Sequence, residues 1–189
     1  MGMGPRDRLI EGAIELVREH GVHGAGLAAL LERSNTSRNS LYQHFPSGKG
    51  ELVEAATKAA GRRMSALLTG VTAQGAPADW LATLVDWWKQ TLETSDFTAG
   101  CPVVGAALAE SEPRAQSAAG EVFGDWTELL AAALAEHGVG AERSRSLASF
   151  VISAIEGAIV QSRAGKTTRP LDDVAANLAL LLDAGPPRT

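Results

Sequence analysis

The chain has 189 residues, 45% of them hydrophobic, and a formal net charge of −5, which excludes a disordered chain and allows one well-formed core or two small ones. No apolar run reaches the roughly 18 residues of a membrane span, and the N-terminal sequence MGMGPRDRLIEG has no apolar signal core. We therefore expect a cytoplasmic protein with no membrane partner. The single cysteine, Cys101, excludes an internal disulfide, in agreement with a reducing compartment.

Alanine and leucine dominate and aromatic residues make up only 5% of the chain, a mixture that favours helices over strands. In the first third of the chain, apolar spacing and stop signals predict four helices, at about 6–20, 27–33, 38–44 and 49–68. Gly21 ends the first helix, Ser37 is a good N-cap for the third, and Pro46 disfavours helix in the residue before it.

The composition then changes, because residues 70–79 are rich in glycine, alanine and proline and are predicted to form a linker. Five more helices are predicted after it, from Pro77 or Asp79 to about residue 94 and at 102–111, 113–138, 141–164 and 171–184. No stretch is typical of a strand. We therefore predict an all-α chain with one domain at 1–63 and a second helical domain at 64–189.

Charge is distributed unevenly between these two parts. Residues 1–63 carry 9 Lys and Arg against 7 Asp and Glu, a balance of +2, whereas residues 64–189 carry 8 against 15, a balance of −7. The net charge alone argues against a nucleic-acid partner, but the basic balance of the first part is compatible with one.

The stretch RNSLYQHFPSGKG, residues 38–50, first suggests a phosphate-binding loop because it ends in a Gly-Lys-Gly sequence. Gln43 stands where the first glycine of a P-loop is required, and Gly50 stands where a Ser or Thr is required. No GxSxG motif occurs, and the four histidines, at 20, 23, 44 and 137, have no metal-binding spacing. We expect no catalytic residue, no metal and no cofactor, and keep a helical enzyme as an open alternative.

Two short helices joined by a polar turn are the organisation of a helix-turn-helix, here at about 27–44. The second helix is about 10 Å long and fits a major groove about 12 Å wide. Leu41 and Phe45 can face the core, while Arg, Asn and Gln side chains can read base edges and Tyr, His and Lys can contact phosphates. The predicted DNA-contacting residues are Thr36, Ser37, Arg38, Asn39, Ser40, Tyr42, Gln43, His44 and Lys49.

The segment GLAALLERSNTSRNSLYQHFPSGKGELVEAA resembles the DNA-binding module of the TetR family of bacterial transcriptional regulators. The shared pattern comprises Ser37, Leu41-Tyr42, His44-Phe45 and Lys49. GCPVVGAALAES and SAIEGAIVQSRAG resemble the LmrA/YxaF-like branch. The resemblance implies a repressor whose helical second domain holds an inducer pocket and the dimer interface.

Two features depart from the family pattern. Ala25 and Gly26 replace the Thr or Ser residues that usually open the second helix, which puts a phosphate contact there in doubt. In the turn, Asn35 replaces glycine and can adopt the same left-handed conformation, and Thr36 replaces a core valine and brings a hydroxyl that needs a hydrogen-bond partner.

A helix of seven residues contacts only a few base pairs, so we expect two-fold symmetry, a palindromic double-stranded operator and a homodimer. The apolar 147–160 segment and the amphipathic 171–184 helix are the predicted interface, formed as a four-helix bundle. Ser149, Ser153 and Gly157, four positions apart, could allow close approach.

A pocket for a small-molecule inducer is predicted among the aromatic residues of the second domain. Asp86 and Glu156 could supply polar groups there; alternatively, the tryptophans fill the core and Glu156 pairs with an arginine. Cys101 could be a redox sensor or a buried small residue. The predicted ligand-binding residues are Trp80, Leu84, Trp87, Trp88, Cys101, Leu108, Phe123, Trp126, Phe150 and Glu156.

We therefore predict a regulator with an N-terminal helix-turn-helix DNA-binding module, joined by the fourth helix to a helical ligand-binding and dimerisation domain. A small apolar or amphipathic ligand would release it from its operator. The alternatives are a helical ligand-binding or scaffolding dimer without operator binding, and a helical enzyme that uses the aromatic pocket.

Overall fold

The structure is a computed structural model that describes residues 2–183, and over this range it contains helices and turns but no strand. The helices are α1 (Pro5–Gly24), α2 (Leu27–Arg33), α3 (Arg38–His44), α4 (Lys49–Thr72), α5 (Pro77–Thr94), α6 (Pro102–Ala107), α7 (Pro113–Glu136), α8 (Ala141–Gly165) and α9 (Arg169–Asp183). The all-α prediction is confirmed. Gly21, with φ +68°, interrupts the helical geometry of α1, as its role as a stop residue predicts.

The linker between α4 and α5 is shorter than predicted. The Thr72 hydroxyl donates to the Leu68 carbonyl at 2.9 Å, and the Ala73 N–H donates to the Thr69 carbonyl at 3.2 Å, so α4 continues through Gly70. Only residues 73–76 separate the two helices. Helix α5 then begins at Pro77, and its first turn is closed by the Asp79 carboxylate, which accepts from the Ala76 N–H at 2.9 Å.

Two other helix boundaries also differ from the prediction. Helix α6 ends at Ala107 rather than at residue 111, because Leu108 leaves helical geometry and the chain closes in turns up to Pro113. Helix α9 begins at Arg169, two residues before its predicted start at residue 171. The predicted end of this helix at residue 184 lies outside the described residues.

The chain divides into two compact units. The first comprises the described part of Met1–Arg63 together with Gly100–Val122, and the second comprises Met64–Ala99 together with the described part of Phe123–Thr189. The first cut falls between Arg63 and Met64. The segment Gly100–Val122, however, which the sequence grouped with the second domain, belongs to the first unit.

Helix α6 joins the first unit by packing against α1. Gly105 makes this approach possible, since a Cβ at that position would lie 3.0 Å from Val17 Cγ1 and 3.2 Å from the Val17 carbonyl oxygen. The Gly100 N–H donates to the Arg18 carbonyl at 2.9 Å, and Arg18 Nε donates to the Gly100 carbonyl at 3.0 Å. These tertiary contacts have no local sequence signal.

Each unit has its own apolar core, in which burial of a large aliphatic or aromatic side chain contributes roughly 1.5–3 kcal/mol. In the first unit the core includes Leu9, Leu30, Leu41, Phe45 and Leu52. In the second it includes Trp80, Leu92, Leu134, Ile159, Leu171 and Leu178. Among the described residues, no helix is long and apolar enough to cross a membrane.

Candidate nucleic-acid interface

The turn between α2 and α3 is a Schellman motif, in which a left-handed residue satisfies the last helical carbonyl groups. The residue after the C-cap, Asn35, has φ +46° and donates its N–H to the Glu32 carbonyl at 3.0 Å. The Thr36 N–H donates to the Leu31 carbonyl at 3.0 Å. The left-handed conformation predicted for Asn35 is confirmed, and it reverses the chain tightly before α3.

The hydroxyl that Thr36 brings to the turn has a partner. Thr36 Oγ1 and Ser34 Oγ are 2.7 Å apart, and Ser34 Oγ also donates to the Leu30 carbonyl at 2.7 Å. Ser34 is buried, so this short network satisfies polar groups where water does not reach them. The turn therefore keeps its shape without the core valine of the family pattern.

Helix α3 is capped by Ser37, whose Oγ accepts a hydrogen bond from the Ser40 N–H at 3.1 Å. Leu41 and Phe45 are buried, as predicted, which fixes the orientation of the helix. Its opposite side is polar: Ser37, Arg38, Asn39, Tyr42 and Gln43 are exposed, and Thr36, Ser40 and His44 are half-buried. The exposed fraction of Tyr42 is 47%, so this side chain is not a core residue.

This face has a positive charge balance. No acidic residue occurs from Ser34 to Gly50, while Arg38 and Lys49 are cationic. The next acidic residue along the chain, Glu51, accepts a hydrogen bond from the Ser47 N–H at 2.8 Å and closes the first turn of α4. A polyanion can therefore approach α3 without meeting a carboxylate on the same helix.

Lys49, predicted to contact a phosphate, has a protein partner. Its Nζ donates to the Val22 carbonyl at 2.8 Å, just beyond the break in α1 at Gly21. An ammonium group has three donors, so this bond fixes the side chain and leaves donors for a phosphate. The phosphate contact itself stays a prediction.

The N-terminus of α2 has no side-chain cap. Gly26 is its N-cap residue, and the neighbouring Ala25 is fully buried. Any contact of this helix end with an anion must therefore come from backbone N–H groups, as the departure from the family pattern indicates.

Helix α1 holds the helix-turn-helix through a hydrogen bond, a close backbone approach and two ion pairs. Arg8 Nε donates to the Ser34 carbonyl at 3.2 Å. A Cβ on Gly12 would lie 3.2 Å from the Ser34 nitrogen, so α1 and the end of α2 are in close approach. Arg33 forms ion pairs with Glu15 at 3.2 Å and Glu19 at 2.9 Å.

The ion pairs of Arg33 shift the pKa values of both Glu19 and Arg33. The hydrogen bond from Arg33 lowers the pKa of Glu19 below its ordinary value of 4.5, although partial burial opposes this shift. The hydrogen bonds to Glu19 and Glu15 raise the pKa of Arg33 above its ordinary range. Both groups are therefore charged at neutral pH.

The second unit contains a small apolar cavity of about 40 Å³. Four of the predicted ligand-binding residues line it: Leu84, Trp88, Trp126 and Glu156. The other lining residues were not predicted, because helical spacing indicates burial but not the partner helix that each residue faces. They are Met64, Leu68, Leu130, Val151, Ile152 and Ile155.

The remaining aromatic residues of the predicted pocket have other surroundings. Trp80 lines a separate, smaller space with Leu84 and donates Nε1–H to the Gln74 carbonyl at 2.8 Å. Trp87 packs edge-on against Trp88, and Phe123 packs edge-on against Trp126, with centroid distances of 4.8 and 5.4 Å. These two rings support the cavity walls rather than lining them.

Four other candidates are not brought to this cavity. Cys101 and Leu108 belong to the first unit, where Cys101 is buried and Leu108 is 73% exposed beyond the end of α6. Phe150 is 53% exposed on α8, and Asp86 is exposed on α5. Apolar character alone suggested Leu108 and Phe150, but both side chains are exposed to solvent. No cluster of metal-ligating side chains occurs among the described residues.

Helices α8 and α9 together present a groove to solvent that combines an apolar part with the polar side chains of Gln161, Asp173 and Asn177. Phe150, Val174 and Leu181 line it, and Val160 and Leu180 are also exposed, the latter by 70%. Ser149, Ser153 and Gly157 are exposed along α8, so small side chains alternate with large apolar ones. Exposed apolar surface of this kind is typical of a protein–protein interface.

Helix α3 is capped, faces outward and follows a Schellman turn, and the chain has a second helical unit. These features define a helix-turn-helix DNA-binding regulator. Residues 9–56 match the family described as bacterial regulatory proteins of the tetR family, and residues 77–177 match the C-terminal domain of LmrA/YxaF-like transcriptional regulators. The chain belongs to the TetR family, in its LmrA/YxaF-like branch.

Relatives and solved structures agree with this assignment. The chain is 33% identical to an HTH-type transcriptional regulator of Mycobacterium tuberculosis over 95% of this chain and 94% of the relative. It is 25% identical to the HTH-type transcriptional regulator LmrA of Bacillus subtilis, over 94% and 96%. A TetR transcriptional regulator from Legionella pneumophila has the same fold, with a TM-score of 0.85 at 20% identity over 96% and 99% of the chains.

Proposed function

We propose that this DNA-binding transcriptional regulator is a repressor that binds a palindromic operator as a homodimer and releases it when a small ligand binds. The observation that carries the proposal is the polar, acid-free face of α3, held by the Ser37 cap and the buried Leu41 and Phe45. Its size matches a major groove. A cytoplasmic location and the lack of an enzymatic activity are part of the same proposal.

The predicted DNA-contacting side chains divide into two chemical groups. Arg38, Asn39, Ser40 and Gln43 carry donors and acceptors that suit base edges, with Arg favouring guanine and Asn or Gln favouring adenine. The other predicted contacts suit the sugar-phosphate backbone, which positions the helix without reading sequence. They are Thr36, Ser37, Tyr42, His44 and Lys49.

Dimerisation is supported by the groove on α8 and α9. A second copy is the occupant that we propose, since a two-fold axis would place Phe150 and Leu181 of both copies against one another. It would also give two recognition helices, which read half-sites about 34 Å or a multiple of that apart.

The cavity in the second unit supports a ligand-dependent change. A space of about 40 Å³ holds only about three water molecules, so an organic ligand must move the walls that α4, α5, α7 and α8 provide. Such a ligand binds the expanded state better than the closed one, and this difference in affinity is what shifts a conformational equilibrium. The expanded state would hold the two recognition helices at a spacing that no longer fits the operator.

The test of DNA readout is a binding titration with a duplex selected from a random pool. We expect Arg38→Ala to weaken binding by about 1–3 kcal/mol, or roughly 5- to 150-fold, and to relax specificity at the contacted base. The control is Arg62→Ala, which removes an exposed arginine of α4 thirteen positions beyond Lys49, about 20 Å along the helix. Equal effects of the two variants would contradict the proposed readout.

A further inference from the structure

We infer that the cavity of the second unit selects an aromatic ligand whose polar end is a hydrogen-bond donor, best of all a protonated amine, and discriminates against carboxylates. The inference rests on the proposed ligand response and names the ligand class. It follows from two features of the lining, its aromatic walls and its single ionisable side chain.

The aromatic walls are Trp88 from α5 and Trp126 from α7, both buried, with exposed fractions of 4% and 3%. Each indole is held by a neighbouring ring: Trp87 lies at 79° to Trp88, and Phe123 lies at 86° to Trp126. Rings fixed in this way offer π-surfaces at little cost in side-chain entropy. Such surfaces attract flat aromatic groups and cations.

The polar contact that the cavity offers is Glu156 on α8. It is the one ionisable residue among the described residues that line this cavity, and the others are apolar. An ionised carboxylate only accepts hydrogen bonds and has about four acceptor positions, so it can take a ligand donor in addition to a protein partner. A ligand carboxylate would instead face like charge in a poorly hydrated space.

Val151, Ile152 and Ile155, which are also on α8, contribute apolar lining, so the cavity offers a ligand a single ionisable contact. A ligand with an aromatic body and one terminal donor matches this lining, whereas a ligand with polar groups on both ends would leave one of them without a partner.

The test uses three probes that share one aromatic body: 1-naphthylmethylamine, 1-naphthylmethanol and 1-naphthoate. Calorimetric titration of the full-length protein is expected to give the affinity order amine, then alcohol, then carboxylate, with the amine at least tenfold tighter than the carboxylate. Glu156→Gln should reduce this ratio to within about threefold, because the amide is neutral and offers both donor and acceptor. Glu93→Gln, an exposed carboxylate of α5, is the matched control and should leave the order unchanged.

Different failures have different meanings. If the wild-type protein binds the carboxylate as tightly as it binds the amine, the proposed ligand class is wrong. This comparison needs no variant. An unchanged ratio in a folded Glu156→Gln variant, as judged by thermal melting, overturns the role of Glu156. If none of the three probes binds at about 1 mM or shifts the melting temperature, the cavity is not a ligand site, and the proposed ligand response fails with it.

Discussion

Individual side chains set the geometry of the turn before α3, and Asn35 is the position where backbone conformation matters most. Its φ of +46° is costly for residues other than glycine and asparagine. We expect Asn35→Ala to lower the free energy of unfolding by about 1 kcal/mol, whereas Asn35→Gly should equal or exceed the wild type.

Urea denaturation of the three proteins measures this difference. Asn35 is exposed, so neither substitution removes buried apolar surface, and the comparison isolates the backbone conformation. Equal stability of the alanine and glycine variants would show that the left-handed conformation is not required in solution.

The ion pairs of Arg33 give a pH-dependent contribution to stability. Since the folded-state pKa of Glu19 is lowered, the pair stabilises the fold above the unfolded value of about 4.5, and this contribution is lost as the pH falls through the folded value. Glu19→Gln should therefore be less stable than the wild type at pH 7, by about 0.2–1 kcal/mol for a partly exposed pair. The difference should be smaller at pH 3 than at pH 7.

Denaturant titrations at pH 7 and pH 3 test this expectation, with Glu136→Gln as a control, because Glu136 is exposed in the last turn of α7. A difference between Glu19→Gln and wild type that is as large at pH 3 as at pH 7 would mean that the effect is not due to ionisation.

Local features of the turn could be predicted from sequence, whereas contacts between distant residues could not. The Ser37 cap and the left-handed Asn35 depend on neighbouring residues only, and both are found in the structure. The bond from Lys49 to the Val22 carbonyl joins residues 27 positions apart, so no local pattern indicates it. The same holds for the exposure of Leu108 and Phe150, which depends on which helices pack against them.

Helix packing around the DNA-binding face depends on a close approach of α1 and α2 at Gly12. A Cβ at this position would lie 3.2 Å from the Ser34 nitrogen and 3.3 Å from Ser34 Cβ, and the Ser34 carbonyl is held by Arg8. We expect Gly12→Ala to destabilise the protein by about 1–3 kcal/mol, because backbone must move to make room. It should also weaken operator binding, since α3 follows this turn.

The control for this substitution is Gly120→Ala on α7. A Cβ at Gly120 would have no atom within 4 Å, and the residue is exposed, so the variant should be more stable by about 0.5–1 kcal/mol. Thermal melting and operator titration of both variants check the prediction. A stabilising Gly12→Ala would contradict the proposed close approach.

The order and type of the helices could be predicted, but their assignment to compact units could not. Apolar periodicity is local, so nine helices were expected and nine are found among the described residues. Gly100–Val122 joins the first unit through contacts between α6 and α1, which depend on Gly105 meeting Val17. Sequence proximity instead suggested that this segment belonged with the helices on either side of it.

The complete regulator, as proposed, requires two copies of the chain joined through α8 and α9. Leu181→Glu places a charge in the groove between these helices and should convert the dimer into a monomer, since an unpaired charge in an apolar interface is costly. Leu108→Glu is the matched control, because this leucine is 73% exposed and lies in the first unit. Sedimentation velocity gives the mass of each variant.

Monomeric Leu181→Glu and dimeric Leu108→Glu are the expected results. The monomer should also lose most of its affinity for a two-half-site duplex while it keeps its helical content, because a single seven-residue helix contacts only a few base pairs. A dimeric Leu181→Glu variant would place the interface elsewhere on the protein.

The most direct test of the account is selection of bound duplexes from a random pool, followed by titration of the enriched duplex at several salt concentrations. We expect two inverted half-sites whose centres are about 34 Å or a multiple of that apart and which are occupied by two protomers. We also expect the affinity to fall steeply as the salt concentration rises. Arg38→Ala should bind the enriched duplex roughly 5- to 150-fold more weakly, whereas Arg62→Ala should bind it as the wild type does. Failure to enrich any duplex at low salt, with folded protein, would contradict the central claim that the exposed face of α3 reads operator DNA.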